Sequence, residues 1–311
     1  MNDLELKING KIYDIAIIGS GMAGCGAAVY ASRFGLSTII FGDLPGGTIT
    51  STHLVENYPG FKKISGLELG QKLLEHATAF GAELNMSTIH DVQKEGDFFK
   101  IYGKKEIWQS RTIIIATGTG HKYLNVPGEK EFANKGVSYC ATCDGAFFKN
   151  KIVCIVGAGD SAVKESLFLA QHVKHVYILC RKEDVHPEPI NRERMLATVN
   201  IEVKPFSEIE EIFGDEQGVK GVKLKNGSMI EVEGVFVEVG RVARTDAFQS
   251  LGLKTDKEGR VLIDILSRTN VKGIFAAGDI TAWDQEAKWD QGIVGVAEGV
   301  KAAYSAFNYL G

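Results

Sequence analysis

The chain has 311 residues, of which 44% are hydrophobic and 24% are charged, and it carries a net charge of -4 at pH 7. A net negative charge gives no support to a nucleic-acid or anionic-membrane partner, either of which would favour a basic face, so neither class of partner is expected. The amino-terminal residues lack the basic start and apolar core of a secretion signal, and no apolar stretch approaches the ~18 residues that span a bilayer. The composition therefore predicts a cytoplasmic protein of about two domains.

The first apolar segment, residues 13–18, predicts a central parallel strand. A helix of small residues is predicted over 22–34, and a second apolar strand over 37–41. The sequence GSGMAG at residues 19–24 joins the first strand to the helix. Glycines at this point let backbone amides approach a pyrophosphate at the amino end of the helix, which predicts a dinucleotide site. Asp43 is the nearest acid after the second strand, where such sites place a carboxylate.

The same order of elements returns later in the chain. A helix is predicted over 66–80 and strands over 98–102 and 112–116, and then residues 151–156 begin a second strand, helix and strand unit. Its glycine motif is GAGDSA at residues 157–162. Two such units predict an α/β fold of two doubly wound, Rossmann-like domains.

The last third of the chain is predicted to contain strands over 219–225, 229–232 and 235–239, with a turn at Asn226 and Gly227. Residues 292–310 have the apolar spacing of a helix.

Two of the five cysteines, Cys140 and Cys143, are separated by two residues and followed by Asp144. Such a pair can close a small ring, accept two electrons as a disulfide and pass them on by thiolate exchange. A zinc site is disfavoured because no second Cys-x-x-Cys or His-x-x-x-His is present, and no metal is predicted. Cys25 and Cys154 lie in apolar segments and are predicted to be buried. A dithiol between two nucleotide motifs indicates an electron relay.

Several short motifs accompany the dithiol. In chain order they are GSGMAG at 19–24, GG at 46–47, VENYPG at 55–60, ATG at 116–118, CATCDG at 140–145 and GIFAAGD at 273–279. This set resembles that of the low-molecular-weight thioredoxin reductases over nearly the whole chain. The place of the dithiol, in the second nucleotide domain, is specific to that family among flavin disulfide reductases.

The resemblance implies a domain organisation and an activity. Residues 1–120 and 246–311 would form a domain that binds FAD, and residues 121–245 a domain that binds NADPH or NADH and carries the dithiol. The enzyme would be a homodimer that reduces the disulfide of a thioredoxin-like protein. Cys143 would face the flavin and Cys140 would attack the partner. Asp144 would be the general acid, and its alternative role is to cap a helix.

The resemblance also assigns ligands. The residues expected to bind FAD are Gly19, Ser20, Gly21, Ala23, Gly24, Asp43, Gly47, Thr48, Asn57, Thr117, Gly118, Gly278, Asp279, Gln291 and Gly292. Those expected to bind the pyridine nucleotide are Gly157, Gly159, Asp160, Ser161, Ala162, Arg181 and Lys182. Phe147 and Phe148 are candidates for a platform that receives the protein substrate, and core packing is their alternative role.

The chain departs from the family pattern at three places. His186 stands where the family has its last nucleotide-binding Arg, Asp290 occupies the place of the family's Arg before Gln-Ala, and the loop that contains Trp283 and Trp289 is several residues longer than usual. A relay driven by ferredoxin or a deazaflavin, and a dithiol oxidase, therefore remain alternative functions. A regulatory nucleotide-binding module with a structural cysteine pair is the alternative outside enzymes.

Overall fold

The computed structural model describes residues 7–285 and 289–311. The chain divides into two compact units. We call Met1–Gly120 together with Val242–Gly311 the discontinuous unit, and His121–Arg241 the continuous unit. The helices are α1 (Met22–Arg33), α2 (Gly66–Ala79), α3 (Ala141–Asp144), α4 (Asp160–Leu169), α5 (Pro189–Leu196) and α6 (Gly292–Leu310). The strands are β1 (Lys7–Ile18), β2 (Thr38–Phe41), β3 (Glu83–Asn85), β4 (Ile89–Glu95), β5 (Phe98–Gly103), β6 (Glu106–Ile115), β7 (Thr119–His121), β8 (Val137–Ser138), β9 (Ile152–Val156), β10 (His175–Leu179), β11 (Ile201–Lys204), β12 (Ile209–Asp215), β13 (Gly218–Leu224), β14 (Met229–Glu231), β15 (Gly234–Val237), β16 (Arg241–Ala243), β17 (Val261–Leu262), β18 (Ile274–Ala276) and β19 (Thr281–Ala282).

The main sheet of the discontinuous unit has the strand order β3-β2-β1-β6-β5-β4, and β18 also pairs with β6. The strands β3, β2, β1, β6 and β18 pair in parallel, whereas β5 and β4 are antiparallel to their neighbours. The apolar half of β1 is buried on both faces because helices cover one side and β4, β5 and the 248–263 region cover the other. The carboxyl ends of β1 and β6 consequently meet at one edge of the sheet.

Helices α1 and α6 pack closely in the discontinuous unit, and glycines make this approach possible. A Cβ added at Gly299 would lie 2.1 Å from the Ala23 carbonyl oxygen, and one at Gly26 would lie 2.9 Å from the Val296 carbonyl oxygen. Larger residues at either position would force the helix backbones apart. The amino ends of both helices are thereby held against the edge of the sheet where β1 ends.

The continuous unit contains a parallel sheet in the order β11-β10-β9-β15-β8. One apolar cluster fills each face of this sheet, and an antiparallel sheet of β12, β13 and β14 covers one of them. The short helix α3 and the helix α4 pack on the other face, where Ala141 and Val163 are buried. The dithiol segment is therefore anchored to the sheet through its own apolar residues.

The predicted α/β class with parallel sheets is confirmed. The helix α6 has the predicted bounds, and α1 and α2 each end one residue earlier than predicted. The strand β1 begins at Lys7 rather than at residue 13, because its first half pairs with β6 although its residues are largely polar and exposed. No helix among the described residues is long and apolar enough to cross a membrane.

Candidate redox and nucleotide sites

Cys140 and Cys143 form a disulfide, with their Cα atoms 5.3 Å apart. Cys140 caps the amino end of α3, and the backbone N–H of Cys143 donates a hydrogen bond to Cys140 Sγ at 3.2 Å. This N–H would stabilise a thiolate on Cys140 once the disulfide is reduced. The geometry favours Cys140 as the nucleophilic sulfur of the pair.

The disulfide is accessible from outside the continuous unit. Cys143 is exposed and Cys140 is half-buried. A pocket of about 420 Å³ opens beside Cys140, and its walls include Tyr123, Tyr139 and Asp144. Electrons held by this dithiol can therefore be passed to a disulfide on another molecule.

Asp144 is held by Ser138, a residue that sequence reasoning did not identify. Ser138 Oγ donates to Asp144 Oδ2 at 2.7 Å and accepts the N–H of Cys140 at 3.1 Å. The interpretation of Asp144 as a helix cap is wrong, because its side chain makes no capping hydrogen bond and is occupied by Ser138. Ser138 lies two residues before Cys140 at the end of β8, and a hydroxyl so close to a dithiol is the signal that would have identified it.

The aromatic residues after the dithiol have different environments. Phe147 is 76% exposed, whereas Phe148 is 7% exposed and packs edge-on against Phe236 with ring centroids 5.2 Å apart. The interpretation of Phe148 as part of a docking platform is wrong, because its ring belongs to the core under the sheet. Of the two rings, only that of Phe147 is exposed to solvent.

The first glycine motif forms a tight cradle between β1 and α1. A Cβ on Gly19 would lie 2.1 Å from the Ala116 carbonyl oxygen, and one on Gly24 would lie 1.9 Å from the Gly19 carbonyl oxygen. A Cβ added at Gly47 would lie 2.5 Å from Gly21 Cα, so the turn at Gly47 packs directly against the first glycine motif. Among the described residues, no side chain caps the start of α1. The backbone N–H groups there fit the pyrophosphate of a dinucleotide.

Other residues expected to bind FAD also lie in the discontinuous unit. Asn57 Nδ2 donates to Gln291 Oε1 at 3.0 Å, which brings together two residues that are 234 positions apart. Thr117 Oγ1 donates to the Arg244 carbonyl oxygen at 2.9 Å, and Gly118 has a φ of 62°. Asp43 accepts a hydrogen bond from Thr88 Oγ1 at 3.2 Å. The remaining positions are Ser20, Ala23, Thr48, Gly278, Asp279 and Gly292, all in this unit.

A buried acid, Glu298, supports the segment that contains Gly278. Its side chain accepts the N–H of Gly278 at 2.8 Å, Thr281 Oγ1 at 3.0 Å and Trp283 Nε1 at 2.7 Å. Glu298 is 3% exposed and is the one acid within α6. Sequence reasoning missed it, although a single acid in an apolar helix is a recognisable signal of a buried polar network.

The second glycine motif lies between β9 and α4. A Cβ on Gly157 would lie 2.4 Å from the Glu238 carbonyl oxygen. Asp160 Oδ1 accepts the Glu188 N–H at 2.9 Å and the Asn191 amide at 2.8 Å, so this side chain fastens the start of α5. Ser161 and Ala162 occupy the first turn of α4, and Gly159 precedes it.

The basic pair after β10 is open to solvent. Arg181 and Lys182 are exposed on the loop that follows the strand. The N–H of His186 donates to the Ala158 carbonyl oxygen at 2.7 Å, which holds this loop on the glycine motif. The two side chains are thus placed beside the motif by a short backbone contact.

Burial shifts the pKa values of thiols and carboxyls in the core. Burial raises the pKa of the Cys25 thiol to about 12 and raises the pKa of Cys154 further, so both stay protonated. Both are buried, as predicted. Burial, together with the neighbouring Glu238 carboxylate, raises the pKa of Glu165 to about 8. No cluster of metal-binding side chains occurs within residues 7–285 and 289–311.

A known protein family matches most of the chain. The family model described as pyridine nucleotide-disulphide oxidoreductase matches residues 13–306. The chain belongs to this family. The thioredoxin reductase of Listeria monocytogenes is 43% identical over 278 residues, which cover 88% of this chain and 87% of that protein. The thioredoxin reductase of Bacillus subtilis is 41% identical over 308 residues, with coverage of 96% and 95%.

The fold is similar to that of a solved thioredoxin reductase. The crystal structure of Lactococcus lactis thioredoxin reductase matches with a TM-score of 0.91 and 36% identity, and the alignment covers 96% of this chain and 99% of that chain. The predicted membership of the thioredoxin reductase family is thus confirmed. FAD and NADPH are the cofactors of this family, and the cradle at Gly19, Gly21 and Gly24 fits the pyrophosphate of FAD.

Proposed function

We propose that this protein is a flavin-dependent disulfide reductase that passes electrons from NADPH through FAD and the Cys140–Cys143 pair to a thioredoxin-like protein. The observation that carries the proposal is an accessible disulfide, with a stabilised nucleophilic sulfur, in a chain of the pyridine nucleotide-disulphide oxidoreductase family. Thioredoxin reductases at 43% and 41% identity support the choice of substrate.

FAD would occupy the discontinuous unit, and when bound it supplies two-electron transfer between a pyridine nucleotide and a disulfide. The residues proposed to hold its pyrophosphate are Gly19, Ser20, Gly21, Ala23 and Gly24, at the amino end of α1. Asp279 is proposed to accept hydroxyl groups of the ribityl chain, since a carboxylate accepts such bonds with charge-assisted strength. Gln291, held by Asn57, and Gly292 would meet the ring system through the amino end of α6.

NADPH would occupy the continuous unit at the second glycine motif. Arg181 and Lys182 are proposed to bind the ribose 2′-phosphate, because both are exposed beside that motif. Asp160 fixes the start of α5 next to this motif. With His186 in place of a further Arg, one charged contact is lost, so NADPH would bind more weakly than in a site with three basic residues.

The proposed exchange begins after the Cys140–Cys143 disulfide has gained two electrons. The Cys140 thiolate attacks one sulfur of the partner's disulfide, a mixed disulfide forms, and the partner's second sulfur leaves with a proton from Asp144. The Cys143 thiolate then attacks Cys140 Sγ, which releases the partner's first sulfur and restores the internal disulfide. Two electrons and two protons leave with the partner, the second proton coming from solvent.

The partner would dock on the face that carries Phe147. This ring is 76% exposed three residues after Asp144, and a large exposed aromatic beside a reactive group is typical of a binding surface. Assembly as a homodimer and a location in the cytoplasm complete the proposal. A reducing compartment suits a chain with three buried free thiols and one exchangeable disulfide.

Anaerobic titration of the purified protein with NADPH, NADH and chemically reduced ferredoxin tests the electron donor. We expect NADPH to bleach the visible flavin band, and Cys140→Ser to keep this bleaching while losing turnover on a protein disulfide. If the flavin stays oxidised with both nucleotides but is bleached by reduced ferredoxin, ferredoxin would replace NADPH as the proposed electron donor. Peroxide formed from an added dithiol without nucleotide would instead identify an oxidase, and a colourless protein would refute every flavin-based function.

A further inference from the structure

A buried arginine, Arg260, contacts two segments that are proposed to hold the flavin. It is 2% exposed. Its guanidinium binds the carboxylate of Asp290 through two hydrogen bonds, Nη1 to Oδ1 at 2.5 Å and Nη2 to Oδ2 at 2.8 Å. This two-bond arrangement fixes direction as well as distance, because the planar guanidinium and the planar carboxylate must align.

The same guanidinium makes a third contact. Nη1 also donates to the backbone carbonyl oxygen of Asp279 at 2.7 Å. The backbone of Arg260 is in turn fixed by Asp256, whose Oδ1 accepts the Arg260 N–H at 2.8 Å. Arg260 therefore joins the segment after β18 to the segment before α6, and its own position is set by a turn.

Both joined segments contain or adjoin residues that are proposed to bind FAD. Asp279 is proposed to bind the ribityl chain, and Asp290 directly precedes Gln291, the residue at the amino end of α6. The long loop between them, which contains Trp283 and Trp289, separates these segments along the sequence. A shift of either segment would move a flavin contact, and the guanidinium bonds oppose both shifts.

The arrangement also accounts for one departure from the family pattern. Asp290 stands where the resemblance places an arginine, and in this chain it is the partner of Arg260. Removal of Asp290 would leave the buried guanidinium of Arg260 without its bidentate partner, which is more costly than the pair itself is favourable. Asp290 is exposed, so its carboxylate would return to water if Arg260 were removed. The pairing of a buried arginine with this acid is therefore better explained by positioning than by stability.

We propose that Arg260 is a positioning residue for FAD, which fixes the Asp279 backbone and the amino end of α6 relative to each other. This inference rests on the proposed function, since it requires that the discontinuous unit binds FAD. Arg260 acts through Asp279 and Asp290 and is not itself proposed to touch the flavin. Loss of its bonds would therefore alter how tightly and in what environment the flavin is held.

The test compares Arg260→Lys and Arg260→Gln with Arg268→Lys. Arg268 forms an exposed ion pair with Asp264 in the same unit, so it controls for the loss of a guanidinium. Arg260→Gln carries no charge to bury, and it provides a second folded variant if the lysine variant is unstable. The measurements on each holoenzyme are the rate of FAD release on dilution, the visible flavin spectrum, the flavin midpoint potential and the melting temperature.

We expect both Arg260 variants to release FAD about 10- to 100-fold faster, in line with loss of a charged hydrogen bond, and to show a shifted flavin band. Arg268→Lys should match the wild type in every measurement. Wild-type release rate, spectrum and potential in the Arg260 variants would overturn the inference, even if their melting temperature fell, since that result describes a structural role alone. A wild-type protein without flavin would instead overturn the proposed function.

Discussion

The hydroxyl of Ser138 lies between the dithiol and Asp144, donating to Asp144 Oδ2 at 2.7 Å while it accepts the Cys140 N–H at 3.1 Å. One side chain thus orients both the proposed general acid and the backbone of the proposed nucleophile. Ser138 is 4% exposed, so water does not readily replace it. Proton delivery to the leaving sulfur should therefore depend on this hydroxyl.

Substitution of Ser138 by Ala should slow the reduction of a protein disulfide. General acid catalysis accelerates a reaction about 10²- to 10⁴-fold, and loss of the orienting hydrogen bond should lower the turnover rate about 10-fold. Stopped-flow measurement of flavin reduction by NADPH should show no change, because that step precedes proton transfer to the partner. Ser138→Thr, which keeps the hydroxyl, is the control, and equal turnover in both variants would contradict the assigned role.

Substitution of Phe147 by Ala should weaken partner binding without unfolding the protein. The ring is 76% exposed, so we expect the KM for the protein disulfide to rise about 10-fold while kcat is retained. Steady-state kinetics with increasing partner concentration measure this effect.

The adjacent Phe148→Ala is the matched control. Its ring is 7% exposed and packs on Phe236, so we expect loss of about 3–5 kcal/mol in the free energy of unfolding. Chemical denaturation measures this loss. If Phe147→Ala instead lowered stability and left KM unchanged, Phe147 would not be a docking residue.

Substitution of either Arg181 or Lys182 by Ala should weaken the binding of NADPH more than that of NADH. Each charged hydrogen bond to a 2′-phosphate contributes about 1.5–3 kcal/mol, so one lost bond should raise the KM for NADPH roughly 10- to 150-fold. The KM for NADH, which lacks this phosphate, should stay the same. A parallel rise for both nucleotides would indicate that the loop has moved rather than that a phosphate contact was lost.

Substitution of Glu165 by Gln should change how stability depends on pH. The unfolded carboxyl releases its proton near pH 4.5, whereas burial and Glu238 raise the pKa of the folded group to about 8. Between these values the folded state retains a proton that the unfolded state has lost, so the free energy of unfolding falls as pH rises. Arg241 is the cation that faces this pair and opposes the effect.

Thermal denaturation between pH 5 and pH 8 tests this expectation. Glu165→Gln cannot ionise, so its melting temperature should exceed that of the wild type by several degrees at pH 8 and should match it near pH 5. Lys164→Gln is the control, because its side chain is more exposed and pairs with Asp160 on the surface. If the melting temperatures of the wild type and Glu165→Gln changed in parallel with pH, the Glu165 carboxyl would be ionised in the folded protein.

Local patterns in the sequence were sufficient to predict the α/β class, the main helices and the burial of Cys25 and Cys154, and the structure and its relatives confirm these. Apolar periodicity and glycine spacing are local signals, and they report directly on strands, helices and tight turns. The nucleotide and catalytic roles assigned to individual residues remain predictions.

Interactions between distant residues could not be predicted in this way. Arg260 and Asp290 are 30 positions apart, and neither charge belongs to a motif. The pairing of Glu165 with Glu238 depends on β15 lying beside β9, which residue spacing does not reveal. The sequence leaves a surface role and a core role open for both Phe147 and Phe148, because the choice depends on the turn after α3, which directs these successive side chains to opposite sides.

The division of the discontinuous unit into two stretches of sequence affects the order in which a ribosome completes the protein. Strands β1 and β6 are synthesised early, but α6 and β18 come from Val242–Gly311, after the whole of His121–Arg241. The continuous unit can therefore fold during synthesis before β18 is available to pair with β6. Chaperones that meet this chain during translation should therefore find its first segment, rather than its middle, in an incomplete state.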